Sequence, residues 1–353
     1  MAALNVGIIG QGRSGRDIHG NYLVTDPEYF RIAAVVDPLE DRRQRAVAEY
    51  KCDAYADYHA LFQRKDLDLV VNATPSHLHV PITREFLDAG YNVLCEKPLA
   101  KRAAEVDELI AAAERSGKVL AIFQQSRFAP YFLKMQEVIA SGVLGRIVQI
   151  SSFWNGYGRR WDWQTLQKYN GGSLLNTGPH PLDQALELFG EDMPEVFCRM
   201  DRANSYGDAE DHVKLILSGE GHPLIDIEIS SCCGYPGTTY NVYGTRGGLR
   251  GTASGLEWKY FLPEEAPEQR LTEEPLCQPD GTPAYCSEQL PWRTESWQAS
   301  EADGGAFTTA VRGLYRMLYR TLTTGAPLEV TPQQVRRQIA VIEECHRQNP
   351  GIY

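Results

Sequence analysis

A glycine-rich turn set between a strand and a helix constrains this chain more than any other feature in it. Asn5-Val6-Gly7-Ile8-Ile9 is a short apolar run that ends in Gly10-Gln11-Gly12-Arg13-Ser14-Gly15, and a helical stretch follows to about Leu23. Asp37 closes the next apolar run, 22 residues after Gly15. A lone Gly-x-Gly-x-x-Gly is weak, but strand, turn, helix and a later carboxylate together are what a dinucleotide site requires. The glycines permit the tight turn and the close approach of a pyrophosphate, whose charge meets the helix N-terminus. Asp37 can accept from the adenosine ribose hydroxyls and repels a 2′-phosphate, so the pattern predicts NAD rather than NADP. Arg42 and Arg43 read as a solvated first turn of the next helix.

Strand and helix signals alternate through residues 1–125, which predicts an NAD-binding Rossmann domain with a parallel sheet covered on both faces. Residues 126–353 form a second α/β unit. There, Gly172 to Phe189 is helix-like despite Pro179 and Pro181. Four runs follow it, Glu195 to Met200, His212 to Leu217, Leu224 to Ser231 and Thr238 to Tyr243. Their turn-like connections predict a large, open, mostly antiparallel sheet. Residues 263–305 are rich in Pro, Glu, Gln and Ser with little periodicity, a long irregular insert of the kind used as a lid or arm.

With 35 basic and 46 acidic residues the chain carries −11. That balance disfavours nucleic acid or an anionic membrane surface as a partner. Met1-Ala2-Ala3 runs into the first strand without a charged leader, and the apolar runs are strand-length, so a cytoplasmic protein is expected. The eight cysteines show no Cys-x-x-Cys spacing and read as reduced thiols, with a bridge between Cys277 and Cys286 disfavoured.

Cys95-Glu96-Lys97-Pro98 falls at the C-terminal end of a parallel strand, where open α/β sheets bind ligands. A lysine beside a cofactor can donate to a substrate oxygen and offset negative charge developing on it. Other motifs are Ala73-Thr74-Pro75-Ser76-His77-Leu78-His79, Ser126-Arg127-Phe128, and Gly171-Gly172-Ser173 leading into Asn176-x-Gly178-x-His180-x-x-Asp183. With the glycine turn, these motifs resemble the glucose–fructose oxidoreductase/inositol dehydrogenase family, often written Gfo/Idh/MocA, closely over residues 4–190 and loosely to about 345. The resemblance implies oxidation or reduction of a sugar or polyol carbon with a nicotinamide cofactor. It also implies an open sheet commonly used in oligomer contacts, so a homodimer or homotetramer is expected.

By the same resemblance Lys97 is catalytic and His180 is the acid/base, a role suited to a pKa near working pH. It places Thr74, Pro75, Ser76, His79, Glu96, Gln125 and Trp161 along the cofactor. Family members usually carry aspartate where this chain has Asn176, which can orient a hydroxyl but cannot take a proton. On one continuous helix Asn176, His180 and Asp183 would share a face, and Asp183 could then orient the substrate.

Residues 153–163 are unusually aromatic. Trp154 and Tyr157 can pack on a sugar ring or an aromatic aglycone, while Arg127 and Arg159 can grip hydroxyls. His77-x-His79 has no partner at metal-ligand spacing, so no metal site is expected. The leading function is an NAD-dependent dehydrogenase of a sugar, glycoside or polyol. Two alternatives are a glycosidase of the same fold, acting by transient oxidation and elimination, and a non-enzymatic NAD-binding regulator.

Overall fold

The computed structural model describes residues 3–300 and 305–353. Met1, Ala2 and the last part of the predicted insert lie outside the described residues. Six parallel strands make the first sheet: β1 (Leu4–Ile9), β2 (Phe30–Val36), β3 (Asp53–Tyr55), β4 (Leu69–Asn72), β5 (Val93–Cys95) and β6 (Leu120–Ile122). Their order is β3-β2-β1-β4-β5-β6, with the crevice at the switch between β1 and β4. The short β3 was not legible as a strand.

The continuous apolar runs of these strands are explained by burial on both sides. Along them, Val6, Ile8, Val35, Leu69, Val71 and Leu94 enter one buried cluster, while Ile9, Ala34, Val36, Val70, Val93 and Cys95 enter another. That is the period of two expected of a strand. After β1 the chain winds as a π-type helix over Arg13–Gly20 and runs into α1 (Asn21–Leu23); α2 (Glu40–Tyr50) follows β2. The helices α3 (His79–Asp88) and α4 (Ala103–Ser116) bring Ile82, Phe86, Val106 and Leu109 against one face.

The opposite face is closed from far along the chain by α8 (Gly305–Thr324), through Val311, Leu314, Tyr315 and Leu318. Residues well beyond 125 thus help to cover the N-terminal sheet: α8 packs on it, because that sheet's second face is too apolar to leave in water. A last helix, α9 (Pro332–Arg347), opens with a Thr331/Gln334 capping box and packs across both units.

The second sheet has eight strands: β7 (Ile147–Asn155), β8 (Glu195–Asp201), β9 (His212–Ser218), β10 (Leu224–Ser230), β11 (Tyr240–Gly244), β12 (Gly247–Thr252), β13 (Gly255–Tyr260) and β14 (Arg293–Gln298). The order is β14-β13-β12-β11-β7-β10-β9-β8. Only β7 and β10 run parallel; every other pairing is antiparallel. The irregular reading of residues 263–305 is corrected in part, since β14 pairs with β13 along the sheet edge. All eight cysteines are free.

The helix expected from Gly172 to Phe189 is two helices, α6 (Ser173–Asn176) and α7 (Pro179–Phe189), with α5 (Pro130–Ala140) earlier in the chain. Gly178 N reaches back to Ser173 O, breaking the regular ladder, and Pro179 and Pro181 then occupy the first turn of α7. Prolines are tolerated there because first-turn N–H groups lack intrahelical partners anyway. Asn176 and His180 thus flank a break, and the common face predicted for Asn176, His180 and Asp183 does not exist.

Candidate active site

The glycine turn is locked from two sides. Gly10 has φ +91°, and a Cβ on it would sit 2.6 Å from Ala73 O; a Cβ on Gly15 would sit 1.8 Å from Gly10 O. No other residue fits either position. Asp37 is buried and accepts from Gln11 N at 2.8 Å through Oδ2 and from Leu39 N at 2.9 Å through Oδ1. Arg42 Nη1 lies 3.3 Å from the same Oδ2, and Arg43 donates to the carbonyls of Asp37 and Pro38. These two arginines brace the Asp37 turn instead of forming a merely solvated surface. Gly12, Arg13 and Ser14 open the helix, with Arg16 N on Gly12 O at 2.9 Å.

At the ends of β4 and β5, side chains fix the neighbouring loops. Asn72 accepts from Thr74 Oγ1 at 2.7 Å and donates to His79 O and Thr83 Oγ1. The His79 ring lies between Pro98 O at 2.7 Å and Thr74 O at 2.9 Å, so it ties the Thr74-Pro75-Ser76 loop to the segment after Lys97. The His77 ring instead lies against Tyr169, with centroids 4.9 Å apart. Among the described residues no cluster of His, Cys, Asp and Glu could hold a metal.

Glu96 is buried and faces His19 Nε2 at 3.2 Å, while His19 Nδ1 lies 2.7 Å from Tyr315 OH on α8. Burial alone would raise the Glu96 pKa. The His19 contact and the Lys97 charge outweigh it and hold Glu96 at about 2. The resulting anion steadies the Lys97 backbone, whose N–H donates to Glu96 Oε2 at 3.0 Å. Sequence reasoning missed His19 and Tyr315; only the three-dimensional packing of α8 brings them here.

Lys97 Nζ donates to the main-chain carbonyl of Asn176 at 2.6 Å. Burial lowers the Lys97 pKa, and Arg13 and Arg160 add to that, against the opposing Glu96 charge. Asn176 Oδ1 accepts from Gln164 Nε2 at 3.2 Å, and Gln164 is held in turn by Arg160. His180 stacks near the Trp154 indole, with ring centroids 6.2 Å apart, and its Nδ1 is buried without a hydrogen-bond partner. Burial, then the Lys97 charge, pushes its pKa down to about 3, leaving a neutral imidazole.

A cavity of about 520 Å³ has Trp154, Tyr157 and Thr177 in its wall, and it meets His180 through the Trp154 ring that stacks near it. Other predicted contacts stand elsewhere. Both Asp183 oxygens are taken by Arg127, at 2.8 and 2.7 Å, and Arg127 also binds Glu187 at 2.6 Å. Arg127 and Asp183 are buried and joined to each other, which leaves neither turned to a substrate. Arg159 and Trp161 are exposed on the loop after β7.

The cleft fits a dinucleotide on the chain's own features. The glycine turn leaves a cradle that a Cβ would fill. Buried polar atoms without partners include Gln11 Oε1, Gln125 Oε1 and His180 Nδ1 at predicted contacts, and His77 Nδ1 and Ser126 Oγ on residues next to predicted contacts in the chain. Buried polar groups are rarely left so, and a bound polar ligand would satisfy them.

A Rossmann unit joined to an open-faced sheet, with a lysine and a histidine converging at the crevice, defines a class of two-domain nicotinamide oxidoreductases. The chain belongs to the Gfo/Idh/MocA oxidoreductase family: residues 4–124 match the oxidoreductase family model with NAD-binding Rossmann fold, and residues 132–250 match the GFO/IDH/MocA C-terminal domain. The N-terminal unit is an NAD-binding Rossmann domain. Over 342 residues the chain is 28% identical to inositol 2-dehydrogenase 2 of Saccharopolyspora erythraea, covering 94% of this chain and 97% of that one. It is 26% identical over 258 residues to 2,7-anhydro-N-acetylneuraminate hydratase of Mediterraneibacter gnavus, covering 71% and 67%. The WlbA dehydrogenase of Bordetella pertussis, solved with NADH and UDP-GlcNAcA, superposes with a TM-score of 0.77 at 20% identity over 99% of this chain and 96% of that one.

Proposed function

We propose that this protein is an NAD-dependent dehydrogenase acting on a carbinol carbon of a sugar, glycoside or polyol. The observation that carries the reading is the His180 imidazole, whose buried Nδ1 has no partner, which feels the Lys97 charge and stacks near Trp154, a residue of the cavity wall. NAD, when bound, supplies the hydride acceptor. The chain's own part is to hold the hydroxyl: Lys97 donates to its oxygen and His180 takes its proton. Lys97 is kept in place by Asn176 O, so its ammonium is aimed before substrate arrives. Asn176 orients without taking a proton.

The family's inositol dehydrogenase relative supports the polyol part of this reading. The hydratase relative supports a second one, in which transient oxidation leads to elimination and the cofactor is restored. Glycosidic-bond cleavage without net NADH would mark that route. The exposed side chains of Phe197 and Tyr243 on the second sheet support assembly with further copies of the chain. The test is NADH formation against free sugars, inositols and glycosides, with products identified. Accumulation of a keto sugar or keto polyol with equimolar NADH is expected; failure of every member to reduce NAD would overturn the reading.

A further inference from the structure

The cavity next to Trp154 combines aromatic walls with an uncharged polar lining, a pairing that does not suit a sugar phosphate. Its walls are aromatic along much of their extent, with Tyr131, Phe153, Trp154, Tyr157 and Tyr240 among the lining residues, and no lining residue is charged. Its polar lining consists of hydroxyl and amide groups, including Ser230, Thr239 and Asn155, whose Oδ1 is buried without a partner. At about 520 Å³ it lies within the ~300–1,000 Å³ of cavities that enclose drug-sized ligands.

Charge near the cavity is already engaged. Arg160, on the loop that continues from the cavity wall, binds Asp162 and Gln164. Lys214 pairs with Asp226 and Glu228. An anionic group brought against the aromatic walls, away from Lys97, would be desolvated without a partner. An apolar ring would instead gain contact area against the aromatic walls.

We propose that the cavity takes an uncharged glycoside whose aglycone is apolar or aromatic, with the sugar towards His180 and Lys97 and the aglycone against Tyr157 and its neighbours. This rests on the dehydrogenase reading above. The reaction breaks one carbinol C–H bond, its hydride passing to NAD, and one O–H bond, its proton passing to His180. The product is a keto glycoside with the glycosidic bond intact.

The test uses the full chain with two readouts. The first is kcat/KM for NADH formation with phenyl and methyl glycosides in the gluco, galacto and manno series, the matching 4-carboxyphenyl glycosides, free hexoses and myo-inositol. The second is calorimetric binding of the same compounds to the NADH complex. In the series the enzyme prefers, the phenyl glycoside is expected to exceed the methyl glycoside by at least about tenfold in both readouts, and the 4-carboxyphenyl glycoside by about a hundredfold. Tyr157→Ala is expected to narrow the phenyl-to-methyl ratio. Oxidation of free sugars or inositol without an aglycone preference would overturn this proposal and leave the dehydrogenase reading intact. Binding of phenyl glycosides without any NAD reduction would support the pocket assignment and overturn the dehydrogenase reading instead. No binding of any phenyl glycoside, or equal acceptance of the 4-carboxyphenyl glycoside, would overturn the pocket assignment.

Discussion

Lys97 is anchored to the backbone of Asn176, its Nζ donating to the main-chain oxygen at 2.6 Å, and not to that residue's side chain. The family's usual aspartate at this position is therefore not needed to hold the lysine. We predict that Asn176→Asp keeps kcat within about tenfold of the parent, well short of the ~10²-fold loss that follows removal of an acid–base group. A hundredfold fall in steady-state turnover would show that the side chain itself sets the geometry.

Asp37 is fixed by Gln11 N and Leu39 N, so its carboxylate cannot swing aside for an added phosphate. NADP is predicted to bind at least about tenfold more weakly than NAD, or ~1.4 kcal/mol. Arg42, 3.3 Å from the Asp37 carboxylate, is a cation able to soften this, so Arg42→Ala should widen the gap. Fluorescence titration with NADH and NADPH measures both, and equal affinities would contradict the role of Asp37.

The buried Arg127–Asp183 pair holds the segment after β6 against α7. Removing Asp183 leaves Arg127 buried with Glu187 as its remaining ion-pair partner, which costs up to ~3–5 kcal/mol. Asp183→Ala should therefore unfold at much lower denaturant, yet still bind NADH below its transition. A variant of normal stability without turnover would instead return Asp183 to a role on the substrate.

Glu210 supports the start of α6 from below. It accepts from Leu174 N at 2.7 Å, and Tyr353 OH donates to its other oxygen. Burial raises its pKa to about 7, against the hydrogen bonds that lower it. A raised carboxyl is protonated in the folded chain while the unfolded chain has already ionised. Its contribution to stability is thus complete below the ordinary value near 4.5 and is lost as pH rises to about 7, by up to ~3 kcal/mol. Urea unfolding between pH 5 and about 8 should fall more steeply for the parent than for Glu210→Gln. Parallel pH dependences would contradict the assignment.

The cofactor cradle was legible because strand, turn and helix signals are local, as were Lys97 at a strand end and the His180 motif. What was not legible depends on separation along the chain. Arg127 and Asp183 lie 56 residues apart, Lys97 and Asn176 79, and His19 and Tyr315 296. Side-chain pairing over such distances leaves no periodic mark. The break before α7 was visible in Pro179 and Pro181, but apolar spacing through Leu174, Leu182 and Leu186 reads as one helix across it. The strand β14 escaped because Arg293-Thr-Glu-Ser-Trp-Gln is an exposed edge without an apolar face.

The central claim is that His180 takes the hydroxyl proton while Lys97 holds the oxygen, and His180→Ala tests it most directly. Because the imidazole stays neutral down to about pH 3, oxidation should show no acid limb from this residue near the ordinary histidine value of ~6.5. We predict that His180→Ala lowers kcat by ~10²-fold or more across this range while NADH titrates as in the parent. Lys97→Ala should lose ~10²–10³-fold, with the double variant short of the product of the two. Near-parental turnover of His180→Ala from about pH 6 to 9 would contradict the account, for the proton would then leave by another route.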